Sequence, residues 1–260
     1  MSTPGYSKLS VLKDVNQFKA VDSHHQLFSA FKIKPDYSNI VLPENPIYIA
    51  PFEVVVHNKP DDCWVSFLGK VFNVTPLIDE YKDQECIRPL LAFAGKDISH
   101  WFDAKTGDIQ HHIHPITGAR VPYCPHGRIP HVEIQVPSTK WKALPHKPWW
   151  FDNKRYMIGL LTKRVRPVRI VNTLICKEVY LDVCCEDTIT RIMERYSIFN
   201  SDSSSYTWRC NDKNLKMDQT LEENGILDER DEFSRLGLPP NLYVPAIFLY
   251  YNDDFIYEEE

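Results

Sequence analysis

Imidazoles and thiols crowd one short stretch of the 260-residue chain: His111, His112, His114, Cys124, His126 and His131. Neutral imidazole nitrogens and thiolate sulfurs are the donors zinc prefers, four at a time, and a Cys-x-His pair is a permissible part of such a set. The spacing fits no recognised zinc finger, so zinc is the lesser reading of this cluster. The adjacent pair Cys184-Cys185 is a second candidate, for redox sensing, if a neighbour depresses a thiol pKa. The chain has seven cysteines, an odd number with no Cys-x-x-Cys spacing. They read as reduced thiols, mostly buried. No Gly-x-Ser-x-Gly, phosphate-binding loop or paired acid/base motif occurs, so the sequence points away from an enzyme.

The elements that must position these groups are legible in part. Residues 1–45 carry scattered aromatics (Phe18, Phe28, Phe31, Tyr37) without a sustained period, and read as an extension that cannot form a core alone. Phe52–Asn58 reads as a short helix and Lys59-Pro60-Asp61-Asp62 as a turn. Cys63–Phe67 and Val71–Val74 are short strands joined at Leu68-Gly69-Lys70 into a hairpin. Thr75-Pro76 opens a helix, with Thr75 as its cap and Leu77, Ile78 and Tyr81 on one face. A second helix, Ile87–Ala94, stops at Gly95, and Asp97 caps a third over Ile98–Phe102. From Gly107 to about Pro148 the chain is rich in His and Pro. With 19 prolines against nine glycines, the connections are stiff. Trp141, Trp149, Trp150 and Phe151 expect this connector to be pinned to a surface.

The C-terminal part alternates differently. Val168–Asn172, Glu178–Val183, Ser205–Cys210 and Ala246–Tyr251 read as strands, and Thr188 caps a helix carrying Ile189, Ile192, Met193 and Tyr196. A hairpin, a crossing helix and further strands make a compact α+β unit. Its order resembles the ubiquitin-like fold, and Lys213-Asn214-Leu215 with Thr220–Ile226 resembles the segment after that fold's third strand. No diglycine tail follows, which implies a recognition domain and not a conjugated modifier.

Apolar residues are 43% and charged residues 25% of the chain, an ordinary globular balance for one or two domains at roughly 150 residues each. The net charge of −5 leaves no basic stripe for nucleic acid. The short basic run Lys163-Arg164-Val165-Arg166 with Arg169 reads as a domain junction. No apolar run reaches the ~18–20 residues of a membrane span, and Met1–Tyr6 lacks an apolar leader. The expectation is a soluble protein made in the cytosol.

One set of blocks is specific: His57–Val65 with its Pro-Asp-Asp turn and Trp64, then Gly69–Thr75, then Ala94-Gly95-Lys96-Asp97. Together they resemble the cytochrome b5 family. The resemblance implies a small mixed sheet with helix pairs gripping a haem edge-on, the iron held by one His from each of two helix-connecting loops. This sequence departs at both loops. Tyr81, in Ile78–Gln84, stands at the first ligand position, and Gly107 occupies the register of the second. Tyrosine is itself a haem ligand type, and His111, His112 and His114 follow Gly107 within a few residues, so the expected substitute iron site is Tyr81 with His112, and His111 and His114 are the rivals of His112. The haem would be b-type, non-covalent and favoured in its oxidised state. His100 beside Trp101 reads as packing, His57 as part of the family's structural turn, Trp64 as core, and Tyr81 itself can be an ordinary amphipathic tyrosine.

The expected organisation is therefore α+β: an N-terminal extension (1–45), a cytochrome b5-like domain (46–115), a connector (116–164), a ubiquitin-like β-grasp domain (165–252) and an acidic tail (253–260). Asp97–Asp103, Lys147-Pro148-Trp149-Trp150 and Thr220–Ile226 resemble marks of one subfamily. That resemblance implies a component of the ciliary axoneme at the radial spoke, with spoke and other axonemal proteins as partners, redox-linked haem binding, and neither nucleic acid nor membrane as ligand. The alternative is a haem-free scaffold whose two modules serve for docking.

Overall fold

A computed structural model describes residues 46–132 and 147–252. The expected N-terminal extension, the part of the connector that holds Trp141, and the acidic tail lie outside the described residues.

The first sheet has the order β1-β7-β4-β3-β2. Its strands are β1 (Tyr48–Ile49), β2 (Asn58–Lys59), β3 (Asp62–Phe67), β4 (Lys70–Asn73) and β7 (Met157–Leu161). Helix α1 (Pro51–Val56) follows β1, with Pro51 in its first turn and a Glu53 oxygen accepting the Ala50 N–H at 2.7 Å. β3 and β4 are joined at Leu68 and Gly69, with φ of 48° and 75°. Two left-handed residues in succession match the twist of the flanking strands, so the turn closes the expected hairpin tightly.

Helix α2 (Thr75–Glu80) starts as expected at a Thr-Pro pair, but Thr75 is not its cap. The Thr75 hydroxyl accepts the Cys63 N–H at 2.9 Å and ties the helix start to β3 instead. A 3-10 turn at Glu85–Ile87 leads into α3 (Arg88–Ala92). The third expected helix is only a 3-10 turn, Ser99–Trp101. Asp97 starts it by accepting the Ser99 N–H at 2.9 Å, and its other oxygen accepts from Ser66 of β3.

Beyond this the chain differs from the sequence reading. The expected stiff connector contains a hairpin, β5 (His111–Ile113) with β6 (Arg120–Pro122), and a short helix α4 (Asn153–Tyr156). It ends in β7, which pairs antiparallel with β4 and parallel with β1. Ile129, Val132, Trp149, Trp150 and Tyr156 are buried in one core with Phe67, Phe72, Leu77 and Leu90. Trp149 and Trp150 are inside the domain and not pinned on its surface, whereas Phe151 is exposed. The first sheet and its core therefore continue to Leu161, through the stretch expected as a connector. Gly159 makes that continuation possible, because a Cβ there would lie 2.5 Å from the Ile47 carbonyl oxygen.

The second sheet has the order β11-β10-β12-β8-β9. Its strands are β8 (Val165–Asn172), β9 (Lys177–Cys184), β10 (Tyr206–Cys210), β11 (Lys213–Asn214) and β12 (Ala246–Tyr251). β8 buries every second residue, Arg166, Val168, Ile170 and Asn172. Helix α5 (Ile189–Tyr196) is capped by Thr188, whose hydroxyl accepts the Arg191 N–H, and buries Ile189, Ile192 and Tyr196. An N-terminal hairpin, a crossing helix and a last strand parallel to the first is the ubiquitin-like β-grasp arrangement. Helix α6 (Arg230–Arg235) lies in the loop before β12.

Arg195 joins the two modules. Its side chain is 10% exposed and donates to Asp187 at 2.7 Å, to Glu53 at 2.6 Å and to the Tyr48 carbonyl at 3.0 Å. The basic run beside it is also occupied. The Lys163 N–H donates to Glu186, and Arg166 donates to the Ile226 and Leu227 carbonyls. No helix among the described residues is long and apolar enough to cross a membrane.

Candidate functional site

Tyr81 is the residue at which α2 ends, its N–H donating to the Leu77 carbonyl at 3.1 Å. This fixed backbone holds the half-buried phenol at the wall of a cavity of about 570 Å³. Tyr81, Cys86 and Arg88 line the side formed by the α2–α3 connection. His126, Arg128 and His131 line the facing side. The volume lies within the ~300–1,000 Å³ of small-ligand pockets.

The cavity's electrostatics follow from burial and from one guanidinium. Burial raises the Tyr81 phenol pKa, with Glu80 and Cys86 adding to the rise, while Arg128 and Arg155 oppose it. Burial likewise raises the Cys86 thiol, again against Arg128. The Nε of Arg128 donates to the Val132 carbonyl at 3.0 Å, which anchors the side chain. The His131 ring meets Tyr81 edge to face at 5.7 Å, and its Nδ1 accepts the Trp149 N–H at 3.0 Å. An imidazole accepting at Nδ1 carries its neutral-form proton on Nε2.

The other sequence candidates stand elsewhere. His111, His112 and His114 do not line this cavity, so the structure does not bring His112 together with Tyr81 there. His112 sits on β5, paired with Val121, its ring against Tyr123 at 5.5 Å. Its Nδ1 is buried without a hydrogen-bond partner among the described residues. The Nδ1 of His114 accepts the N–H groups of Ile116 and Thr117 at 3.3 and 3.2 Å and shapes the hairpin turn. His111 is exposed. His100 packs among Phe93, Trp101 and His126. His57 bonds Asp62 at 2.6 Å and stacks on Trp64 at 3.5 Å, which pins the Pro-Asp-Asp turn. Trp64 is half-buried and packs on the small cluster of Ile49, Val54 and Val71 instead of the main core.

Among the described residues no three His, Cys, Asp or Glu side chains converge on a metal position. The Cys184 thiol is pushed up to about 12 by burial, and burial raises Cys185 as well. Neither has the depressed pKa that thiol sensing requires.

A haem is tested here by donor chemistry and by space. The donors fit: a phenol oxygen and imidazoles for iron, and guanidinium groups for acidic side arms. The space restricts the approach. Behind the cavity, Trp101, Ile109, Ile129, Trp149 and Tyr156 are buried. Tyr81 and His131 touch, which leaves no layer between their rings. Were an iron held here, Tyr81 would be the oxygen donor of this cavity, and His126 and His131 are the imidazoles that line it with Tyr81. Sequence reasoning singled out His126 and His131 only as possible zinc donors, and missed Arg128 and the placing of this segment opposite Tyr81. The only signal was the density of reactive types in Cys124-Pro125-His126-Gly127-Arg128-Ile129-Pro130-His131.

The sheet, the two helix turns around Tyr81 and the β-grasp unit define a cytochrome b5-like domain joined to a ubiquitin-like one. The profile of the Cytochrome b5-like Heme/Steroid binding domain matches residues 51–122. Cytochrome b5 domain-containing protein 1 of Homo sapiens is 48% identical over 208 residues, covering 80% of this chain and 90% of that protein. The protein of the same name from Xenopus laevis is 44% identical over 212 residues, covering 82% of this chain and 97% of its own. The chain belongs to the cytochrome b5 domain-containing protein 1 family. These relatives are named for a domain and not for an enzymatic activity. A designed protein based on ubiquitin aligns with 35% of this chain and 92% of its own, at 19% identity and a TM-score of 0.26.

Proposed function

We propose that this protein is a haem-binding structural component of the ciliary axoneme, at the radial spoke, where its haem takes part in redox signalling. The observation that carries the haem part is Tyr81. A phenol occupies the family's first ligand position, and it lines a cavity of about 570 Å³ together with imidazoles and Arg128. Bound haem supplies a one-electron iron couple. Tyr81 contributes a hard anionic oxygen, whose charge complements ferric iron better than ferrous. Burial raises the Tyr81 pKa, and the charge of Arg128 favours the anion against that rise. Trp149 and its buried neighbours exclude water from the inner side. The axonemal placement and the spoke partners rest on the subfamily marks at 97–103, 147–150 and 220–226.

Titration of the purified protein with ferric haem tests the site. The expected result is a tyrosinate-type absorption spectrum that weakens under dithionite and is lost in Tyr81→Phe. A spectrum indifferent to Tyr81→Phe removes the proposal. For the placement, isolated axonemes should retain the protein after detergent extraction, and its complete release into the soluble fraction refutes that part.

A second reading, the haem-free scaffold, is favoured by the packing behind the cavity, where Ile129, Trp149 and Tyr156 fill the interior. Under that reading the same titration gives no saturable spectrum, and the protein is still retained on axonemes.

A further inference from the structure

The wall at 126–131 has no counterpart in the family's ligand pattern as the sequence presents it, and it carries a fixed positive charge. Arg128 is anchored at its Nε by the Val132 carbonyl at 3.0 Å, which orients the guanidinium fork and leaves its two terminal nitrogens without a hydrogen bond among the described residues. Across the cavity stands Arg88, whose nearest acid is the highly exposed Glu85 at 3.7 Å. That pair is too loose and too hydrated to satisfy the guanidinium. Tyr81 and Cys86 between them are neutral when their protons are on, and burial keeps those protons on. A cavity of about 570 Å³ with two guanidinium groups and one exposed carboxylate therefore leans positive in a chain whose net charge is −5. Guanidinium forks match carboxylates two bonds at a time.

We propose that Arg128, with Arg88 opposite, selects ligands of this cavity by their carboxylate arms. The cavity's ligand class is then a planar tetrapyrrole dicarboxylate, and recognition does not depend on its metal. The inference rests on the haem reading for the identity of the ligand but not for the role of the arginines. Tyr81 answers to the metal, and Arg128 answers to the acid groups.

The test uses metal-free protoporphyrin IX and its dimethyl ester, added to the full-length protein. Binding is read as quenching of tryptophan emission and as porphyrin fluorescence anisotropy. Wild-type protein should bind the free acid at least about ten-fold more tightly than the ester, as expected for losing a charge-assisted pair. Arg128→Gln should remove most of that preference by weakening the acid alone, while Arg128→Lys keeps the charge and recovers part of it. Equal affinity of the wild-type protein for acid and ester, or equal loss of both in Arg128→Gln, overturns the proposal. Failure of Tyr81→Phe to alter ferric haem binding, with the acid preference intact, overturns the haem reading and leaves the carboxylate selection standing.

Discussion

Replacing Arg195 by Met removes the guanidinium that joins the two modules while keeping much of the side chain's apolar length. The Asp187 side chain is 1% exposed and loses its 2.7 Å partner, which leaves it only the Cys184 N–H at 3.1 Å among the described residues. Glu53 is 31% exposed, so it can rehydrate, and it keeps its bond to the Ala50 N–H. Breaking a buried pair from one side costs about 3–5 kcal/mol, and nearly all of it here falls on Asp187. For a protein of this size that is a fall in Tm of roughly 6–20 °C. The assay is urea and thermal unfolding followed by tryptophan emission, with Trp149 reporting one core and Trp208 the other. The sign with pH is also fixed. Burial already raises the Asp187 pKa against the pull of Arg195. Without Arg195 the folded-state value rises further above the unfolded one. A carboxyl raised in this way penalises the fold above its unfolded pKa, and the penalty fades as pH falls toward that value. The variant's deficit should therefore shrink between pH 7 and about 4.5, and Asp187→Asn added to it should restore part of the loss. A deficit below about 1 kcal/mol at pH 7, or one that ignores pH, refutes the idea that a buried charge pair carries the junction.

Gly159→Ala should cost about 1–3 kcal/mol in urea unfolding, since the added Cβ would lie 2.5 Å from the Ile47 carbonyl oxygen. Tyr156→Phe should be neutral or stabilise by up to about 1 kcal/mol, because the buried hydroxyl has no hydrogen-bond partner among the described residues. A loss of more than that amount would mean the hydroxyl is satisfied. Asp228 is held down to about 2 by the Arg230 side-chain hydrogen bond. Its contribution is present above its ordinary 3.8 and lost as pH falls toward 2. Acid titration of wild-type against Asp228→Asn should show their stabilities converging over that window and nowhere above it.

The parts of the fold that were legible are those decided within a few residues. The Leu68-Gly69 turn, the Pro at the start of α2 and the Thr188 cap each act through local geometry, and each helix or strand they punctuate is where the pattern puts it. Thr75 shows the limit, since a residue type suited to a cap was taken by a neighbouring strand across 12 positions. What the sequence hid was decided at long range. β7 belongs to a sheet begun about a hundred residues earlier, and Trp149, Trp150 and Tyr156 enter a core whose remaining buried members precede residue 133. Proline and histidine density read as a linker because it says nothing about which apolar residues find a partner. At the site, Tyr81 was legible only through the blocks around it. Arg128 was not, and His126 and His131 were legible only as members of a possible zinc cluster, because the facing wall exists only once these residues fold back over the α2–α3 connection.

The placement of β7 has a consequence for shortened versions of this gene. A polypeptide stopped after the profile-matched region at residue 122 lacks Trp149, Trp150, Tyr156 and the strand that covers one side of β4. It would present an open β4 edge flanked by uncovered aromatic rings, a template for intermolecular pairing. Frameshifts and stop codons anywhere between residues 123 and 157 should then give insoluble or rapidly degraded products, and not a smaller working haem module.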